Sequence, residues 1–137
     1  YGRERDFYGF NNSNRNSMST LGTAKIFEEI MRNINYEKDN INLKNHLLRE
    51  LKKETIKNDP NNQVFGFLGE GLPEDIPFWS KAGLMSSVRH DAAYWVNNEY
   101  SQTLLVVFGA SEEYVNNINF LPRLAKEIYK FNKSYIN

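Results

Sequence analysis

The chain has 137 residues, of which 40% are apolar and 25% charged, and its formal net charge is zero. That suits one ordinary globular domain and excludes a surface built for nucleic acid or an anionic membrane, which would need basic excess or clustering. With no cysteine, disulfide frameworks, thiolate zinc sites and thiol catalysis are excluded too.

No apolar run approaches the ~20 residues of a membrane-spanning helix, and Tyr1-Gly2-Arg3-Glu4 does not read as a secretory leader. Residues 1–18 are polar and irregular. The Gly, Asn and Ser of 9–14 read as loop, with Phe7, Tyr8 and Phe10 pinning it to the body. Ser19 or Thr20 is placed to cap a helix that begins near Leu21. Ala24, Phe27, Ile30, Met31 and Ile34 follow at helical spacing and mark its buried face, with Glu28 and Glu29 outside. Fading is expected by Asn35.

Asn40 or Asn42 opens a second predicted helix with a stripe of Leu43, Leu47, Leu48 and Leu51. Lys52 and Lys53 then fall in its last turn, where cations suit the helix dipole. The run from Lys44 to Lys57 is broken by Glu50 and Glu54 and reads as a solvated face; His46 is a structural histidine on it. Asn58-Asp59-Pro60-Asn61-Asn62 is a turn. Gly66, Gly69 and Gly71 are loop glycines, since no Lys-Ser/Thr follows to make a phosphate loop. Pro73 and Pro77 hold Leu72 and Ile76 extended.

Strands come next. Phe78 to Leu84 is the first and Ala92 to Val96 the second, with Asn97-Asn98-Glu99 as a hairpin turn. Leu104 to Phe108 is a continuous apolar run, which predicts a central strand covered on both faces. A last helix starts near Leu121, with Pro122 in its first turn. Leu121, Leu124, Ala125, Ile128 and Phe131 lie on one face, and Lys126, Lys130 and Lys133 on the other. The order of helix, helix, three antiparallel strands and helix predicts an α+β class, an antiparallel sheet packed by helices.

The stretch Phe78-Trp79-Ser80-Lys81-Ala82-Gly83-Leu84 sets a lysine inside an apolar strand. A buried ammonium is costly unless it is paired or used, and Ala82 and Gly83 leave room for a ligand or a second backbone. Lys81 can attract a carboxylate or relay protons to a hydroxyl nucleophile. The N–H of Leu84 or a neighbour can face a developing oxyanion, and Arg89 offers a planar fork to a carboxylate. The plainer alternative is that Lys81 pairs with an acidic residue and Arg89 with Asp91, both for stability alone. The residues by themselves leave the two open.

Ser80-Lys81-Ala82-Gly83, then Arg89-His90-Asp91-Ala92-Ala93-Tyr94, a turn, and Leu104-Leu105-Val106-Val107-Phe108 resemble the C-terminal half of the penicillin-recognising serine hydrolases, class A β-lactamases and their relatives above all. That family carries Lys-Thr/Ser-Gly on a strand at its active site. Gly71-Leu72-Pro73, and Ser17-Met18-Ser19-Thr20 leading into the first helix, are also similar, so the resemblance spans nearly the whole chain in order. It implies residues 1–137 as the C-terminal portion of a β-lactamase/transpeptidase-like fold, using a serine acyl-enzyme on a lactam or peptide-type substrate. Lys81 and the backbone of Leu84 would be catalytic. Ala82, Gly83, Ser86 and Arg89 would bind substrate, with neither cofactor nor metal. Export to the periplasm or outside is implied by the family only.

Three departures qualify the resemblance. Ser-x-x-Lys and Ser-Asp-Asn are absent, so the nucleophile is expected on a missing upstream segment or another chain, and this chain alone is not expected to be active. Ala82 replaces the motif's hydroxyl residue, for which Ser86, Ser87 or Arg89 would have to compensate. A deacylation glutamate would fall near Glu4, but the pattern around it is missing. Two further expectations therefore stand beside the hydrolase: a catalytically inactive fold that binds peptides or a partner protein, and a small unrelated α+β binding domain complete in itself.

Overall fold

A computed structural model describes residues 17–32, 43–59 and 62–134. The predicted aromatic loop around Phe7, Tyr8 and Phe10, the first helix beyond Arg32, and the candidate caps Asn40 and Asn42 lie outside those residues, as does Glu4. Helix α1 spans Thr20–Arg32. Its cap is Ser19, whose Oγ accepts the N–H of Gly22 at 3.0 Å and whose carbonyl accepts that of Thr23 at 2.9 Å. A serine oxygen thus satisfies a donor that the first turn cannot pair internally.

The second helix is not continuous. A helical turn over 43–47 stops at Leu48, which forms an isolated antiparallel bridge with Trp79. Helix α2 starts afresh at Lys53–Asn58. Lys52 and Lys53 therefore sit at the start of a helix, not in the last turn. The leucine stripe has the right period, yet pairing with the sheet edge outweighs helix propensity here. A 3₁₀ turn, Leu68–Gly71, then leads into β1 (Phe78–Met85), β2 (Val88–Asn98) and β3 (Ser101–Gly109).

The three strands form one antiparallel sheet in the order β1-β2-β3, with Lys81 opposite Ala92, Ala82 opposite Asp91 and Asp91 opposite Val107. The class is α+β, as the element order predicts. The apolar run 104–108 is not the central strand: β3 is an edge and β2 is central. The run is apolar on both sides because helices lie on both faces of the sheet. Short helix α3 (Glu112–Asn116) and α4 (Phe120–Ser134) complete the chain. Sequence periodicity misses α3, whose five residues are too few to show a face; Ser111 caps it through the N–H of Tyr114.

One face of the sheet is closed. Phe78, Ala82, Ala93 and Trp95 pack there with Leu51, Ile56, Val64, Phe67, Leu68, Leu72, Leu121 and Ala125 in a single buried cluster. Helix α4 seats on the 3₁₀ turn so closely that a Cβ at Gly71 would lie 1.9 Å from the Pro122 carbonyl oxygen. Phe131, expected on the packed face of α4, is exposed. The opposite face is covered chiefly by α1 over β3 and β2, and Lys81, Leu84 and Met85 stay exposed. No described helix is long and apolar enough to cross a membrane.

Candidate functional site

Strand alternation decides what each residue of the 78–85 segment presents. Phe78, Ser80 and Ala82 turn their side chains into the closed core, and Trp79, Lys81 and Gly83 lie on the opposite, more open face, which α1 covers over β3 and β2 but leaves accessible at Lys81. Lys81 is thus exposed rather than buried. The expectation of a buried ammonium is corrected by the period of two, which groups Lys81 with its half-covered neighbours and not with Phe78. The ammonium bends back to the free edge of β1, where Nζ donates to the carbonyl of Ala82 at 2.6 Å and to Gln63 Oε1 at 3.3 Å.

That edge is partly capped. Residues 78, 80, 82 and 84 direct their backbone groups away from β2. The Phe78 carbonyl accepts the N–H of Arg49 at 2.9 Å, and the Ser80 carbonyl accepts Arg49 Nη2 at 3.1 Å. The N–H of Ala82 donates to Gln63 Oε1 at 3.1 Å. Leu84, the next in the alternation, has no described partner on the outward side; its side chain is 55% exposed. Among the described residues the edge is therefore closed from Phe78 to Ala82 and open at Leu84. A cavity of about 170 Å³ lies alongside, its wall mixing Arg49, Glu50, Asp59 and Gln63 with Leu48 and Ile56.

Gly83 does leave space: a Cβ there would meet only the His90 Cβ, at 3.8 Å. Ser86 is exposed in the β1–β2 turn. His90 shares the open face, stacks on Phe108 with ring centroids 4.6 Å apart, and accepts the Gly109 N–H at Nδ1. Among the described residues no group of three or more His, Asp or Glu could hold a metal ion.

Arg89 and Asp91 lie on the other face, buried. Arg89 is 6% exposed. Its Nε donates to the Val115 carbonyl at 3.1 Å and its Nη1 to the Gly66 carbonyl at 2.7 Å, while the guanidinium sits 5.1 Å from the centre of the Phe67 ring. Gly66 allows this approach. Its φ is +72°, and a Cβ would come within 2.7 Å of Arg89 Nη1. The arginine acts here as an internal clamp that ties β2 to the 64–67 segment and to α3. It makes no ion pair with Asp91, so the expected stabilising pair is not formed.

Asp91 is fully buried and accepts the Leu68 N–H at Oδ2, 3.0 Å away. Burial pushes its pKa from the ordinary carboxylate range up to about 7. The N–H groups of Leu68 and Ala92 and the charges of Lys81 and Arg49 only partly offset that. Ser80 Oγ, Asp91 Oδ1, Arg49 Nε and Tyr114 Oη are buried without a hydrogen-bond partner among the described residues. Sequence reasoning misses this layer, although Arg89, Asp91, Ala93 and Trp95 at spacing two do signal one shared face. It also misses Gln63, which sits in a polar turn with no pattern to mark it.

No protein-family model matches the chain, and no curated protein or solved structure matches it either.

Proposed function

We infer that the chain is the C-terminal portion of a β-lactamase-like serine hydrolase, with its nucleophile supplied by another part of the protein or by another chain. One observation carries the reading: a single edge strand presents an exposed lysine ammonium and, three residues on, a backbone N–H on the uncapped part of the same edge. Acyl transfer needs both kinds of group. A serine oxygen adds to the substrate carbonyl, the carbonyl oxygen takes up negative charge, and a donor fixed in place lowers the barrier. The C–N bond then breaks as the nitrogen takes a proton, leaving an ester on the serine. Leu84 would supply the donor. Lys81 would supply positive charge for the substrate carboxylate and the nucleophile.

Ala82 turns into the core opposite Asp91, so it contributes only backbone. Gly83 keeps the open face clear. Ser80 is buried, so Ser86, exposed in the turn, is the nearest accessible hydroxyl in sequence to replace the one Ala82 lacks. Arg89 would act by holding the 64–67 segment in place. The substrate would be a lactam or peptide-type acyl group, and the setting periplasmic or extracellular.

Capping by Gln63 favours a second reading, an inactive fold that binds an extended peptide or a partner protein at the same edge. A neutral hydrogen bond of this kind is worth only about 1 kcal/mol net, so a ligand carbonyl can displace the glutamine from the Ala82 N–H.

The test is the intact mass of every polypeptide in the purified protein, before and after exposure to a reactive penicillin. Gain of one penicillin mass on a chain that contains or complements this one supports the acyl-enzyme. If all masses stay unchanged with penicillin and with activated peptide esters, the hydrolase reading falls and the binding reading replaces it.

A further inference from the structure

Among the described residues Asp91 is the one acidic side chain on the closed face of the sheet that is wholly removed from solvent. No described cation reaches ion-pair distance from it. One carboxyl oxygen holds the Leu68 N–H and the other has no hydrogen-bond partner among the described residues. The groups around it come from every element packed there. Lys81 on β1 and Arg49 before α2 act on it through space, and Tyr114 on α3 is near enough to feel its charge. Arg89, two residues away on its own strand, is committed to two carbonyls. Glu70 on the 3₁₀ turn is exposed and holds the Gly66 N–H. From β3 it meets Val107, which is apolar.

An ionised carboxylate in that setting is poorly solvated, because the N–H groups of Leu68 and Ala92 and the through-space charges of Lys81 and Arg49 only partly replace a full water shell. A neutral carboxyl keeps the Leu68 bond without that cost. We propose that Asp91 is a proton-linked positioning residue: its neutral carboxyl seats the Leu68–Gly71 turn under the Lys81 strand, and its ionisation loosens that seat. This does not rest on the acyl-transfer reading, because it concerns the support of the strand and not what binds to it.

The sign follows from linkage. The folded-state pKa, about 7, lies above the ordinary 3.8. The folded state therefore holds the proton more tightly than the unfolded chain does. The stabilisation is full below the unfolded value and is lost as pH rises through the folded one.

The test combines the wild-type chain with Asp91→Asn, which keeps an acceptor for Leu68 but cannot ionise; both histidines are retained in each. Denaturant unfolding is followed from about pH 5 to pH 8. Relative to Asp91→Asn, the wild-type folding constant is expected to fall roughly a hundredfold over that range. The exchange of the Leu68 amide should quicken in the wild type by comparison with the variant. The carbon-13 signal of the Asp91 carboxyl gives the titration directly and needs no variant to fold. A midpoint near 7 supports the proposal. A midpoint in the ordinary carboxylate range overturns it, and so does a pH slope that Asp91→Asn leaves intact.

Discussion

The two faces of the sheet invert what their charges lead one to expect. The closed face, which excludes water, holds an arginine, an aspartate and a serine. The open face carries the lysine and a row of aromatic side chains, Trp79 against Tyr94 and His90 against Phe108. On the closed side the titratable groups are held by backbone: Arg89 by two carbonyls, Asp91 by the Leu68 N–H. Those bonds tie segments distant in sequence into one body. On the open side Lys81 holds a backbone carbonyl and a glutamine that a ligand can displace. The buried polar groups here tie segments together, and the exposed ammonium is held only at the sheet edge.

The contrast can be broken most severely from the closed side. Trp95→Ala, at a fully buried ring, should cost about 3–5 kcal/mol. Phe108→Ala, at a ring 37% exposed on the open face, should cost less than half as much. Denaturant titration of both compares the faces directly, and similar losses would mean the open face is covered better than described. Next in size is the clamp. Arg89→Ala leaves the Gly66 and Val115 carbonyls without their donor and should cost about 2–4 kcal/mol. Arg89→Lys, unable to span both, should recover only part of it.

Smaller effects belong to the edge. Gln63→Ala should change stability by about 1 kcal/mol or less while speeding hydrogen exchange at the Ala82 amide, which a mass-spectrometric exchange experiment resolves. Smallest is Lys81→Met, expected within about 0.5 kcal/mol of the wild type. If the proposed function holds, that same change should remove acylation almost completely. A large stability loss with intact acylation would reverse the roles assigned to the two faces.

Much of the architecture was legible. The Ser19 cap, the Phe27 face of α1, the three strands and the Leu121–Ala125 seam all follow from local chemistry and period. What escaped depends on contacts made at long range. A leucine stripe through Leu48 looks helical until Trp79 offers it a strand partner. The run 104–108 looks central because packing on both faces leaves the same mark on an edge strand. Lys81 looks buried when its apolar neighbours are read as a block, but not when every second residue is followed. The capping role of Gln63 comes from a turn 18 residues earlier in the chain, a distance no local pattern spans.

The contact between Gly71 and Pro122 has a kinetic side. The strands pair through hairpins between neighbours in the chain, so they close over short loops. The 3₁₀ turn must instead meet a helix some fifty residues later, after the whole sheet has intervened. Closures of that span are slow to find. The sheet should form first and the seam of α4 last, leaving the Leu121 and Ala125 side of the core wet until the end. A methyl group placed at Gly71 would press on that late contact. In stopped-flow experiments Gly71→Ala should speed unfolding far more than it slows folding; the opposite partition would put the seam in the folding nucleus.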